Sequence, residues 1–142
     1  MKKILLALAV AIISQACTDP KMEKVDELKK ECITIHDEVM PRMGELVELG
    51  SEIKGLRKSI ENDTTDSAQA IRLGFVNRVE QLDSAHEAMM IWMNEYVPDY
   101  DVDHSSDESI EYYTDQKKKI TEVKEIMLKS IEDGKETMES AK

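Results

Sequence analysis

Apolar residues recur at alternating steps of three and four between residues 22 and 61, with one step missed at Arg42. This spacing places the apolar side chains on one face of a long α-helix. The series consists of Val25, Leu28, Cys32, Ile35, Val39, Leu46, Leu49, Ile53, Leu56 and Ile60. Pro41 lacks a backbone N–H and crowds the carbonyl of Asp37. We therefore predict a first helix over about residues 22–61, kinked near Pro41.

A second apolar series follows the polar residues 62–67, where Ser67 can cap a new helix. Its members are Ile71, Phe75, Val79, Leu82, His86, Met89, Met93 and Tyr96. Pro98 ends this helix, because the residue before a proline disfavours helical geometry. The spacing predicts a second helix over about residues 67–97.

A third series begins after an acidic loop at residues 99–107, with Ser109 or a nearby Ser or Asp as the cap. Its members are Ile110, Tyr113, Ile120, Val123, Met127, Ile131 and Met138. The spacing predicts a helix over about residues 108–140. The predicted fold class is all-α: an up-down-up three-helix bundle, or a long helical hairpin plus a third helix, in a single domain over residues 22–142.

The acidic loop begins like a calcium-binding loop, with Asp99, Asp101 and Asp103 at alternating positions. His104 stands where that loop needs glycine, and Ile110 stands where it needs a bidentate glutamate. We therefore predict a solvated acidic loop.

The first residues have the pattern of an export signal. Lys2 and Lys3 precede an unbroken apolar run over residues 4–13, which is too short to span a bilayer as a helix. Ala16 and Cys17 then supply a small residue and a thiol. This segment resembles the lipobox of bacterial lipoproteins, in which a peptidase cuts before a cysteine that has been diacylated.

The resemblance implies a cleaved signal peptide over residues 1–16, lipidation of Cys17 and a short tether over residues 17–21. Ser14 departs from the lipobox, which more often has an aliphatic residue at that position. The alternative is an ordinary secretory signal that leaves Cys17 as a free thiol. The residue after Cys17 is Thr18 and not Asp. In this respect the segment resembles signals that are sorted onward to the outer membrane.

The charge changes the interpretation of the membrane contact. Removing residues 1–16 takes away two lysines and no acid, so the formal charge falls from −11 to −13. Such a charge disfavours nucleic acid and anionic lipid surfaces, so the acyl group would hold the chain on the membrane. With 35% charged residues and one Phe, the core is thin, which also suits a homo-oligomer in which helices pair between chains.

Soft metal ligands recur on the first two predicted helices. Cys32, His36, Met40 and Met43 lie within a wedge of about 80° on one helix. His86, Met89, Met90 and Met93 lie in a similar wedge on the next. An antiparallel hairpin would set His36 opposite Met93, Met40 opposite Met89 and Met43 opposite His86.

Imidazole and thioether groups together favour Cu(I). The candidate metal ligands are His36, Met40, Met43, His86, Met89 and Met93, with Cys32 as an optional one. The alternative is that methionine fills a thin, irregular core while His86 bonds a carboxylate. Haem is disfavoured, because the sequence has no CxxCH motif and one Phe makes a poor macrocycle pocket.

No Gly-rich phosphate loop, Ser/His/Asp set or CxxC pair is found in the sequence, and we predict no enzyme and no required cofactor. The segments His36–Pro41 (HDEVMP) and Met89–Met93 (MMIWM) resemble a family of short helical bacterial lipoproteins, some of them named after viral A-type inclusion protein repeats. The resemblance implies export and a helical fold but no activity. We expect an interaction or structural module of the cell envelope with an unidentified envelope protein as its partner; the alternative is a Cu(I)-binding protein.

Overall fold

The computed structural model describes residues 19–141. This part of the chain contains helices α1 (Pro20–Val39), α2 (Met43–Ser59), α3 (Asp66–Glu95) and α4 (Ser106–Ser140), with 3₁₀ turns at Met40–Arg42 and Tyr100–Val102. It contains no strand, so the all-α prediction is confirmed. The predicted signal peptide and Cys17 lie outside the described residues.

Helices α1, α3 and α4 each begin at a side chain that caps the first turn. Asp19 accepts a hydrogen bond from the Lys21 backbone N–H at 2.9 Å, and Pro20 follows at a position where its missing N–H costs nothing. Ser105 and Glu108 form a reciprocal capping box at the start of α4. The cap of α3 is Thr65, so the prediction of Ser67 was wrong.

The first predicted helix is divided in two at Pro41. The backbone N–H of Met40 still bonds the carbonyl of His36, but residues Met40–Arg42 form a 3₁₀ turn before α2 begins. A proline has no N–H to continue the α-helical ladder, which accounts for the interruption. After it, Met43 is buried at the point where the apolar series misses a step, and Arg42 pairs with Glu45.

The ion pairs give the directions of the helices. Three pairs between α1 and α4 each join residues 86 positions apart, so these helices run parallel: Lys21 with Asp107, Glu31 with Lys117 and Glu38 with Lys124. Helix α3 runs antiparallel to α4, because Arg78 bonds Asp133 while the later Gln81 accepts a bond from the earlier Ser130. Helix α3 returns along α2 after a short turn.

The buried core runs along the contact of all these helices. A large cluster contains residues from α1 to α4, and a smaller one joins Val25 and Leu28 to Tyr113. None of the helices in residues 19–141 is long and apolar enough to cross a membrane.

Candidate functional site

His36 on α1 reaches α3 through an aromatic stack. Its ring lies 5.6 Å from the Trp92 ring, with an angle of 29° between the two planes. Trp92 in turn stacks on Tyr96 at 4.8 Å. The Nδ1 atom of His36 lies 2.9 Å from the carboxylate of its neighbour Asp37. His36 is thus held between an indole and a carboxylate at the edge of the core.

The candidate copper ligands differ widely in burial. Met43 and Met89 belong to the main buried cluster, and Met93 packs against it. His36 and His86 are half-buried. Met40 is 37% exposed. The wedge predicted on the first helix therefore extends from the core to solvent.

Cys32 lies on the core side of this wedge, against α4. Its thiol is fully buried and donates a weak hydrogen bond to the Tyr113 carbonyl at 3.6 Å. Burial raises the pKa of the Cys32 thiol to about 11. The thiolate is the form of cysteine that binds metals, and burial keeps Cys32 as the protonated thiol. Cys32 therefore resembles a structural cysteine.

Metal ligation in this region would require methionine. Among residues 19–141, no group of three or more His, Cys, Asp or Glu side chains is placed to hold a metal ion. The candidate set from the sequence adds thioethers to two imidazoles, which is the donor chemistry of a soft cation. Cys17, the candidate lipidation site, lies before the described residues.

Beside the candidate ligands lie two series of exposed apolar side chains, which we call the apolar flank. Ile33 on α1, Met40 in the 3₁₀ turn and Val47 on α2 follow one another at seven-residue steps, and so do Met90 on α3 and Val97 just after its end. Their exposed fractions are between 37% and 57%.

An ion pair places the α2 and α3 members, Val47 and Met90, on one side of the molecule. Lys54 continues the first series by seven residues and Asp83 precedes the second by seven, and their side chains approach to 3.5 Å. The apolar flank thus follows the border between α1–α2 and α3. Sequence reasoning missed it, although the seven-residue spacing of Ile33, Met40 and Val47 outside the buried series was a readable signal.

The acidic loop is fixed to the body of the protein. The Asp101 carboxylate accepts hydrogen bonds from Lys29 at 2.7 Å and from the buried Tyr113 hydroxyl at 2.8 Å. The bond from Lys29 is the main cause of a pKa below the ordinary value for Asp101. The Tyr100 ring lies between His104 and Tyr112, at 3.7 and 4.0 Å. The prediction of a solvated loop was therefore wrong for Asp101, because spacing along the chain does not show Lys29 or Tyr113 nearby.

Comparisons of the chain with protein family models, with curated proteins and with solved structures found no match.

Proposed function

We propose that this chain is an exported lipoprotein, held on a membrane by a diacylated Cys17, whose up-down-up three-helix body binds another protein of the cell envelope. The apolar flank is the observation that carries the proposal. No catalytic step is assigned to it. The lipobox resemblance and Thr18 favour the outer membrane as the site of attachment.

The apolar flank supports binding because its members are aligned. Single exposed apolar residues are ordinary on protein surfaces, whereas contiguous ones mark interaction sites. Here Ile33 and Met40 are one heptad apart at the end of α1, and Val47 follows at the same step on α2, beyond the 3₁₀ turn. The chain leaves these apolar side chains exposed to solvent, which is consistent with a surface that a partner covers.

Site-specific photo-crosslinking of the full chain in the cells that make it tests this proposal. A photoreactive residue at Val47 or Met90 should give an adduct with the same envelope protein. Ile126 on α4 is 47% exposed but lies outside the apolar flank, so it is the matched control position. Met40→Asp should remove the adducts without changing the helical content measured by circular dichroism.

An adduct between two copies of the chain would identify a second copy as the partner, in a homo-oligomer. Equal adducts at Val47 and Ile126, or none at either flank position, would contradict the proposal.

Cu(I) binding is the second candidate function. It is favoured by the contact of His36 with Trp92, because the next residue along α3 is Met93 and the two helices therefore present imidazole and thioether at a similar level. Replacing Met40, Met43, Met89 and Met93 by leucine nearly preserves volume while removing these thioethers. Titration of the chain with Cu(I) should show binding that the leucine variant loses; equal binding by both would eliminate this function.

A further inference from the structure

A second surface lies near the turn between α2 and α3, at the end of the molecule opposite the start of α1. It is a groove of about 950 Å³, which we call the hairpin groove. One wall carries Lys54, Arg57 and Lys58 from the last turns of α2. The other carries Ala70, Leu73 and Val76 from the first turns of α3. Leu73 is 61% exposed, so the groove is apolar on one side and cationic on the other.

Basic side chains outnumber acidic ones in the lining of the hairpin groove, whereas the chain as a whole is acidic. With Arg72, four lysines and arginines line it, against the two acids Glu61 and Asp66, while the chain carries a formal charge of −11. Within residues 19–141, neither Arg57 nor Lys58 takes part in an ion pair or a side-chain hydrogen bond. These two cations are therefore available to an anionic partner.

The frame of the groove is held by the protein's own contacts. Arg72 donates to the backbone carbonyls of Ile60 and Asp63, at 2.8 and 2.6 Å, and so fixes the turn against α3. Lys54 lies 3.5 Å from Asp83. A ligand would consequently meet preformed walls, which lowers the ordering cost of binding.

We propose that the hairpin groove binds an acidic amphipathic helix of a partner protein. Apolar residues on one side of that helix would pack against Leu73 and Val76, and its carboxylates would meet Arg57 and Lys58. Two antiparallel helices with an apolar groove between them are a common receptor for such a ligand. The inference deepens the proposed role as an interaction module, because it assigns a partner chemistry to a surface separate from the apolar flank.

Charge and position argue against two other occupants. A second copy docked face to face would bring Arg57 and Lys58 of both copies together, and like charges repel. A membrane that held a lipidated Cys17 would lie toward the start of α1, whereas the hairpin groove lies at the end of α2, after the 40 positions from Pro20 to Ser59. The amphipathic lining thus favours a protein helix that reaches the free end of the body.

Photo-crosslinking from Leu73 in the full chain tests the inference. The expected adduct maps, by mass spectrometry of the crosslinked peptide, to a helical segment of another protein with apolar residues at steps of three and four and acidic residues between them. Its yield should fall about fivefold in the double variant Arg57→Gln, Lys58→Gln, which removes two charge contacts. The matched control is Lys118→Gln, Lys129→Gln, two exposed lysines on α4, which should leave the yield unchanged.

Circular dichroism melting of each variant shows whether the fold is intact. Absence of a Leu73 adduct overturns the inference, as does an adduct with lipid, with a second copy or with a segment that lacks acidic residues. An adduct that is insensitive to Arg57→Gln, Lys58→Gln also overturns it. The apolar flank is tested by its own probe at Val47. Loss of the Leu73 adduct with a retained Val47 adduct would therefore reject the hairpin groove alone.

Discussion

Two kinds of glycine occur in the helices. A Cβ atom added at Gly74 would meet nothing within 4 Å, whereas one added at Gly134 would lie 3.2 Å from Leu49 and 3.5 Å from Leu82. Gly134 therefore allows α4 to approach the side chains of α2 and α3 closely. Gly74 lowers the helix stability of α3 without an equivalent packing contact.

Gly74→Ala should raise the free energy of unfolding by about 0.5–1 kcal/mol, because alanine restricts the unfolded chain and favours helix. Gly134→Ala should gain less, since Leu49 and Leu82 must move to admit the methyl group. Urea unfolding followed by circular dichroism measures both changes. Equal stabilisation by the two substitutions would show that the contacts around Gly134 are not close.

Cys32 should make the protein less stable in alkali. Its pKa is about 11 when folded, against an ordinary value of 9.0, so between these values the unfolded chain loses a proton that the folded chain keeps. The contribution of Cys32 to the free energy of unfolding is fully present below pH 9 and is lost as the pH rises toward 11. The fall from pH 8 to pH 10 should be smaller in Cys32→Ala, as measured by urea unfolding.

The accessibility of the same thiol gives an independent check. In a Cys17→Ala chain, Cys32 is the one remaining thiol, and it should react with a thiol reagent at pH 8 only after unfolding. Rapid reaction of the folded protein would contradict the burial of this side chain.

At the scale of elements, Tyr113 connects three segments. Its hydroxyl donates to Asp101 and accepts from the Tyr100 N–H at 3.1 Å, so α4 holds the loop that follows α3. Lys29 adds α1 to the same carboxylate. This network places one buried hydroxyl at the meeting point of two helices and a loop.

Tyr113→Phe should destabilise the protein by about 1–2 kcal/mol, because it leaves buried polar partners without their hydroxyl. Hydrogen exchange at the Tyr100 amide should accelerate. Tyr112→Phe is the matched control, since its hydroxyl accepts a bond from the exposed Val97 N–H and should matter less. Similar losses in both variants would contradict the special role of Tyr113.

The parallel register of α1 and α4 can be tested through one ion pair. Glu38→Lys should destabilise slightly by placing a second cation near Lys124, and adding Lys124→Glu should recover the loss. The pair is partly exposed, so we expect a coupling of about 0.5 kcal/mol in a double-mutant cycle. Additive effects of the two substitutions would contradict this register.

The sequence predicted where the helices begin and end better than it predicted which helices pack against each other. The helix predicted at 108–140 is α4 at Ser106–Ser140, where no proline interrupts the helix. The pairing of helices depends on how the chain returns, which spacing along one helix does not encode. The candidate metal set assumed that the first helix faces the second along its length, whereas Cys32 instead contacts the Tyr113 carbonyl of α4.

At the scale of the whole molecule, the two proposed binding surfaces lie apart. The apolar flank begins at Ile33 on α1, close in sequence to the proposed tether, and the hairpin groove lies at the far end beside the α2–α3 turn. A diacylated Cys17 would hold the first near a membrane and present the second away from it. Attachment at Cys17 is therefore the central claim of the account.

The mass of the mature chain tests this claim most directly. Protein extracted from the membranes of the cells that make it should begin at Cys17 and carry the added mass of a diacylglyceryl group on that residue. The Cys17→Ala chain should lack the modification and leave the membrane fraction. A mature wild-type chain that is cut elsewhere, or that carries an unmodified Cys17, would contradict the account.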